Sequence, residues 1–275
     1  MSRRQRILAF AALAILAFCY VLPILMMLVG SLKPDGRVLA DSASWLALVP
    51  IDASFQNYAD IIARDDLVRY YFNSVVITGS IVALGLVVNS MCGYALARLH
   101  WRGRQTVLLA VLALLVIPFE AIVVPLFSLM SAIGWTDSYR VQIVPFIANP
   151  LSVYLFYTFF NGLPKELEES ARIDGAGPWT IYWRIVAPLA GPAFAAVAIL
   201  TFLLQWGSYL WPLMVTIGPD YRPLPVAIGN ATAEQPVQWG DIMAFGTLMA
   251  LPVMLVFILF QRAFVRGIAF AGLKG

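Results

Sequence analysis

Six long stretches of this chain carry almost no charge, and that single property removes most folds from consideration. The stretches are residues 7–31, 70–97, 105–136, 141–164, 185–219 and 242–261, and Glu120 is the one ionised side chain inside any of them. Each matches or exceeds the ~20 residues a helix needs to cross hydrocarbon. A chain in lipid must satisfy every backbone polar group internally, which favours helices for apolar runs of this length. The expectation is an all-α integral membrane protein with six transmembrane helices. Composition agrees: 61% of residues are hydrophobic and 12% charged, against about a quarter charged in soluble domains.

The spans divide the chain into a short N-terminus (1–6), a first transmembrane helix (7–31), an extracytoplasmic loop (32–69), a core transmembrane domain (70–264) and a tail (265–275). A cleaved signal peptide is the rival for the first run. Such a peptide has an apolar core of only ~7–15 residues and then a small-residue cleavage site, whereas here Tyr20, Pro23, Met26 and Met27 continue the run. The fifth run exceeds one span, so its ends are the least defined. Six spans place both termini on one side. That side holds Arg3, Arg4, Arg6, Arg98, Arg102, Arg104, Lys165, Arg172, Arg184, Arg262, Arg266 and Lys274, and the other side only Lys33, Arg37, Arg64, Arg69, Arg140 and Arg222. The positive-inside rule makes the richer side cytoplasmic, termini included.

Between the fourth and fifth runs, residues 163–188 hold four acidic and three basic side chains and must lie in water, on the cytoplasmic side. They read as two short helices. Glu166, Glu168 and Glu169 suit the positive end of a helix dipole, Gly175 can supply a left-handed stop, and Pro178 suits the first turn of the next helix. Ser170, Ala171 and Asp174 fall three or four apart, a low-relief face suited to docking.

These residues resemble a known family. The pattern Glu169-Ser170-Ala171, Gly175 and Ile185-Val186-Ala187-Pro188 is similar to the E-A-A, G, I-x-L-P loop of the membrane subunits of ATP-binding-cassette importers, with Ser170 and Ala187 departing from it. Phe72-Asn73-Ser74, Tyr94-Ala95-Leu96-Ala97-Arg98, Ile117-Pro118-Phe119-Glu120, Val124-Pro125-Leu126, Leu210-Trp211-Pro212-Leu213 and the tail through Gly272-Leu273-Lys274-Gly275 resemble its carbohydrate-uptake branch, the smaller maltose-transporter-permease type. The resemblance implies a type I importer permease fold whose two-helix loop couples to an ATPase through Glu169, Ser170, Ala171, Asp174, Gly175 and Ala176. It implies a second contact with that ATPase through Leu273, Lys274 and Gly275. The implied partners are a second permease in a heterodimer, two ATPase subunits, an extracytoplasmic solute-binding protein and the bilayer of a prokaryotic cell membrane. No cofactor is implied in this chain, ATP and Mg being bound by the ATPase.

Other motifs narrow the chemistry. No Gly-x-x-x-x-Gly-Lys-Ser/Thr occurs, so ATP is not bound in the P-loop manner and no catalytic set is expected. His100 is the lone histidine, which excludes a histidine cluster for a metal and a histidine triad within the chain. Gly175-Ala176-Gly177 is too short for a dinucleotide fingerprint. Cys19 and Cys92 both lie in apolar runs and are expected as small hydrophobes rather than a disulfide. The net charge of +3 is too small to argue for nucleic acid.

Glu120 is different, because an intramembrane carboxylate costs ~2.5–3.5 kcal/mol on insertion scales and is functional by default. Beside Pro118 and before Pro125 it is expected on a broken helix along the translocation path, or satisfied by a neighbouring helix. The second span's Asn73, Ser74, Thr78, Asn89 and Ser90, with Gly79, Gly85 and Gly93, read as close helix packing, Asn89 being carried also as a path residue. In the fifth run Gln205, Ser208 and Tyr209, with Trp206 and Trp211, mix hydrogen-bonding groups with aromatic faces as a sugar path would, interface aromatics being the alternative. A self-contained channel or secondary transporter remains the runner-up. It would show internal repeats, and none is evident.

Overall fold

The computed structural model describes residues 3–64, 66–233 and 235–272, with backbone alone at 64 and 261–272. Among the described residues every element is helical. In chain order they are α1 (Arg3–Gly30), α2 (Asp35–Asp41), a 3-10 turn (Trp45–Leu48), α3 (Gln56–Arg64), α4 (Leu67–Arg98), α5 (Arg104–Leu114), α6 (Phe119–Ala132), α7 (Tyr139–Ile147), α8 (Pro150–Asn161), α9 (Glu166–Ile173), α10 (Pro178–Ile181), α11 (Ala187–Leu189), α12 (Gly191–Trp206), α13 (Leu210–Val215), α14 (Leu224–Ala233) and α15 (Trp239–Gly272).

Four helical stretches are long and apolar enough to cross a membrane: Arg3–Gly30, Leu67–Arg98, Tyr139–Asn161 and Trp239–Phe260. Two helix pairs pass the same test only together and are sharply bent, α5 with α6 at 104° and residues 178–189 with α12 at 77°. Counting each pair once gives six. The α5–α6 break comes at Ile117-Pro118. Proline disfavours helical geometry in the residue before it, and Pro118 itself is extended, φ −68° and ψ 142°, before α6 restarts. The second break lies at Ala190, with Pro192 in the first turn of α12.

Contacts group the chain into two compact units, residues 1–71 with 224–254, and 72–223 with 255–275. In the first, the last turns of α1 approach α15 through glycine: a Cβ on Gly246 would lie 2.7 Å from Met27 Sδ. The segment after α1 is more ordered than a solvated loop. Lys33 is 2% exposed, with its ammonium 2.9 Å from Asp41 Oδ2 and donating to the Leu46 carbonyl. Asn57 Nδ2 donates to the carbonyls of Ser31 and Lys33, and Asp35 Oδ1 accepts from the Gly240 N–H. Ile61, Leu67, Leu224, Ala244 and Phe245 form the apolar centre. The rest of α1 has no buried residue up to Val29, and Ile7, Leu8, Phe10, Leu13 and Cys19 face outward, as lipid or another membrane chain requires.

In the second unit one cluster joins Tyr94, Phe156, Phe160, Ala171, Ile181, Tyr182 and Val197, and another joins Val123, Met130, Val141, Trp211 and Val215. Trp211 donates its indole N–H to the Val141 carbonyl at 2.9 Å. Polar side chains of α4 pin the irregular backbone. Asn73 Nδ2 donates to the carbonyls of Asp220 (3.0 Å) and Arg222 (2.9 Å), and its Oδ1 accepts from Tyr139 Oη. Asn73→Ala would leave two carbonyls and a phenol to find new partners, a cost of about 1–3 kcal/mol for each group that stays buried and unpaired. The expected outcome is a melting temperature several degrees below the parent's in a detergent thermal-shift assay, with Asn73→Asp also lower because a carboxylate cannot donate.

Candidate functional site

The 163–188 segment is built as its composition suggests. The carbonyl of Lys165 accepts from the N–H groups of both Glu168 and Glu169, opening α9 with its three glutamates in the first turn. The helix ends in a Schellman motif: Ala176 N–H bonds to the Ala171 carbonyl at 2.9 Å and Gly175 N–H to the Arg172 carbonyl at 3.0 Å. Gly175 has φ +83° with nothing within 4 Å of a built Cβ, so the backbone conformation alone demands glycine.

Gly177 is extended, and Pro178 occupies the first turn of α10, where its missing N–H costs nothing. The helix does not stop before Pro188. It widens into a π turn over Tyr182–Val186, in which Ala187 N–H reaches the Tyr182 carbonyl five residues back. Pro188 cannot donate to the Arg184 carbonyl and would press its ring against it. The widened turn lets the helix pass through the proline to Leu189.

Two side-chain links tie this segment to α4. Arg98, 6% exposed at the end of α4, donates Nε–H to Glu168 Oε1 at 2.5 Å and Nη2–H to the carbonyls of Leu163 (3.0 Å) and Pro164 (3.1 Å). Glu168 is 4% exposed and takes a second cation, Arg172, at 3.3 Å through its other oxygen. Further back along α4, Ser90 Oγ and Tyr182 Oη share a 2.7 Å hydrogen bond. The planar guanidinium fork is suited to this task, holding a carboxylate and two carbonyls at once.

These links sort the expected docking residues. Glu169, Ser170, Asp174 and Gly175 are exposed, and Ile173, 87% exposed, stands among them as an apolar tip that the spacing of small and charged residues did not single out. Ala171 is a correction: it is 8% exposed and packs into the cluster with Ile181 and Tyr182. It lies three residues after Glu168, on the face that Arg98 holds inward. Ala176 is half-buried against the same cluster.

The residues expected along the path separate too. Gln205 and Ser208 line a narrow cleft with Ser74, Thr78, Gln142 and Trp206. Gln142 is 2% exposed; its amide N–H2 donates to the Tyr221 carbonyl at 2.8 Å, while its Oε1 has no partner among the described residues. Tyr209 is 43% exposed, and Glu120 is exposed in the first turn of α6. Asn89, in contrast, spends both ends of its amide at the α7–α8 corner, donating to the Ile147 carbonyl and accepting from Asn149 N–H, each at 2.9 Å. Leu273, Lys274 and Gly275 lie outside the described residues.

Comparison with known proteins places this arrangement. The family model for the binding-protein-dependent transport system inner membrane component matches residues 81–270. The arabinooligosaccharides transport system permease protein AraQ of Halalkalibacterium halodurans is 36% identical, covering 95% of this chain and 94% of its own. The trehalose transport system permease protein SugB of Mycobacterium tuberculosis is 33% identical, covering 93% of each. Among solved structures, a chain of a bacterial ABC transporter involved in the import of the acidic polysaccharide alginate has the same fold, with a TM-score of 0.85 over 95% of this chain and 98% of that one at 24% identity. The chain belongs to the inner membrane components of binding-protein-dependent transport systems, with the fold of an ABC importer permease.

Proposed function

We propose that this chain is one of two permeases in an ATP-driven importer for an oligosaccharide or related sugar, taking its solute from an extracytoplasmic binding protein. The named solutes of its relatives, arabinooligosaccharides and trehalose among them, support the substrate class. The excess of basic residues on the N-terminal side supports cytoplasmic termini and a cytoplasmic 163–188 segment. The observation that carries the coupling role is the exposed face of Glu169, Ser170, Ile173 and Asp174 on a segment whose base is clamped to α4 by Arg98. A motor protein gripping that face moves α4 with it, which is the differential contact that alternating access needs. Gln205, Ser208, Tyr209 and Glu120 are proposed to border the solute path, with Asn89 holding the corner behind it. ATP and Mg are assigned to the partner ATPase, and the 273–275 tail to a second contact with it.

The test is reconstitution. The tagged chain, purified from its host in mild detergent, is expected to bring an ATPase and a second permease, and the complex in liposomes to accumulate a labelled oligosaccharide only with ATP and binding protein. Recovery of the chain alone, with uptake independent of ATP, would overturn the proposal. Within that system Glu169→Lys and Gly175→Arg are each expected to reduce uptake to background while the chain stays in the membrane at parental level. The first reverses charge on the docking face, and the second forces a side chain onto a left-handed residue. Parental uptake in either variant removes the docking assignment.

A further inference from the structure

A cavity of about 200 Å³ lies where the end of α4 meets α10, larger than the ~150 Å³ apolar void that suffices to admit benzene in a protein core. Its walls include Tyr94, Ala95 and Leu99 on one side and Pro178, Trp179 and Tyr182 on the other. No charged or amide side chain lines it; its side-chain polar groups are the phenols of Tyr94 and Tyr182, the latter hydrogen-bonded to Ser90, and the Trp179 indole, fewer than the several partners a sugar needs. The Tyr94 hydroxyl is buried with no hydrogen-bond partner among the described residues.

The rim is unlike the walls. Trp101 donates its indole N–H to the Ala95 carbonyl at 3.2 Å, and Arg104 donates to the Leu99 carbonyl at 3.3 Å, so both are fastened to the backbone of wall residues. Arg102 and His100 are exposed beside them, and residues 99–119 contain no acidic side chain. Trp101, Trp179 and Trp183 are 42%, 63% and 51% exposed, the placing of aromatics at the level of lipid headgroups. The uncharged run of α4 ends at Ala97, so the cavity straddles the boundary between hydrocarbon and water.

We propose that this cavity binds one acyl chain of an anionic phospholipid from the cytoplasmic leaflet, with Arg102 and Arg104 drawing its headgroup. The orientation rests on the function proposed above. A chain lodged there touches α4 and α10 together, the two elements that the Ser90–Tyr182 and Arg98–Glu168 links also join. It therefore stiffens the connection through which the docking face moves the span, and makes coupled ATP hydrolysis depend on anionic lipid.

The test uses the assembled importer in liposomes of mixed phosphatidylcholine and phosphatidylglycerol doped with a phosphatidylglycerol probe bearing a mid-chain diazirine. After illumination, mass spectrometry is expected to find label on peptides covering 91–99 and 178–182. A phosphatidylcholine probe with the same chain should label them less, by about fivefold per headgroup-facing arginine. Ala95→Trp, which fills the cavity without adding charge, should bring both segments to background. Arg102→Gln with Arg104→Gln should keep the label and erase the headgroup preference. Absent label, equal label in Ala95→Trp, or no preference for the anionic probe in the parent overturns the site. Trp179→Cys that cross-links to another subunit does so as well, since a protein then fills the cavity. Binding-protein-stimulated ATP hydrolysis of the parent is measured in parallel, so failure of the importer reading is seen separately from failure of lipid binding.

Discussion

Arg98→Ala is expected to abolish ATP-driven uptake and leave the 163–188 segment open to protease. The substitution removes four things at once: the bond to Glu168, two bonds to the Leu163 and Pro164 carbonyls, and the packing of the guanidinium stem. Breaking a buried pair by deleting one partner costs about 3–5 kcal/mol, because the remaining charge keeps its desolvation penalty. Against a total stability of ~5–15 kcal/mol, a loss that large at one joint is decisive. Arg172 cannot compensate: its side chain is 48% exposed and reaches Glu168 from the water side. Arg98→Lys should fail almost as badly, since an ammonium cannot serve a carboxylate and two carbonyls in one plane. Arg98→Met with Glu168→Leu is the informative partner, expected to restore protease resistance by replacing the pair with apolar bulk. Uptake and limited proteolysis are measured on all three variants, and parental values for Arg98→Ala would show that the clamp is dispensable.

The fold was largely written in the charge-free runs, because burial in lipid leaves a chain so few alternatives. The break expected beside Pro118 is there, but what those runs could not show was which other prolines leave a helix intact and how sharply the chain turns. The 105–136 run looks like one segment, yet its α5 and α6 halves meet at 104°. Pro118 marks the break, but Pro23, Pro125, Pro145 and Pro252 all sit inside continuous helices. A proline becomes a corner only where neighbouring helices compensate the lost hydrogen bonds outside the helix axis, and that is tertiary information.

The 163–188 segment shows the same division. Gly175 and Pro178 were legible because each answers a local backbone demand. Glu168 was not singled out from Glu166 and Glu169, although it alone of the three is buried. Its distinction comes from Arg98, seventy residues earlier, and nothing in the local spacing predicts that meeting. A signal did exist: Arg98 ends a span with no acidic residue near it in sequence, so a cation at that depth needed a distant partner. Asn89, read as close packing and carried also as a path residue, shows the converse. A buried amide looks the same in sequence whether it meets a solute or a neighbouring helix corner, and here Ile147 and Asn149 take both its ends.

Gly93→Leu is expected to give no monodisperse protein at all, the largest folding effect of any single glycine replacement in the spans. A Cβ at Gly93 would lie 2.6 Å from Phe156 Cβ, 2.9 Å from Tyr157 N and 3.1 Å from the Phe156 carbonyl carbon. Two of those neighbours are backbone, so relief requires moving α4 away from α8, and Phe156 and Phe160, both 0% exposed, move with it. Overpacking by a few methylenes in a tight core costs about 1–3 kcal/mol even where side chains can shift, and here they cannot. Small residues permit this approach because two membrane helices gain mainly by van der Waals contact. Gly93→Ala should survive with a reduced melting temperature. Gly79 supplies the control: it belongs to the same set of small residues on α4 but has nothing within 4 Å of its built Cβ, so Gly79→Ala should match the parent. Size-exclusion profiles and thermal shifts of the three variants decide the matter. If Gly93→Leu is as monodisperse and as stable as Gly79→Ala, α4 and α8 do not meet at this glycine. The 163–188 segment, whose Tyr182 and Ala171 pack on the same aromatic cluster, would then need another foundation.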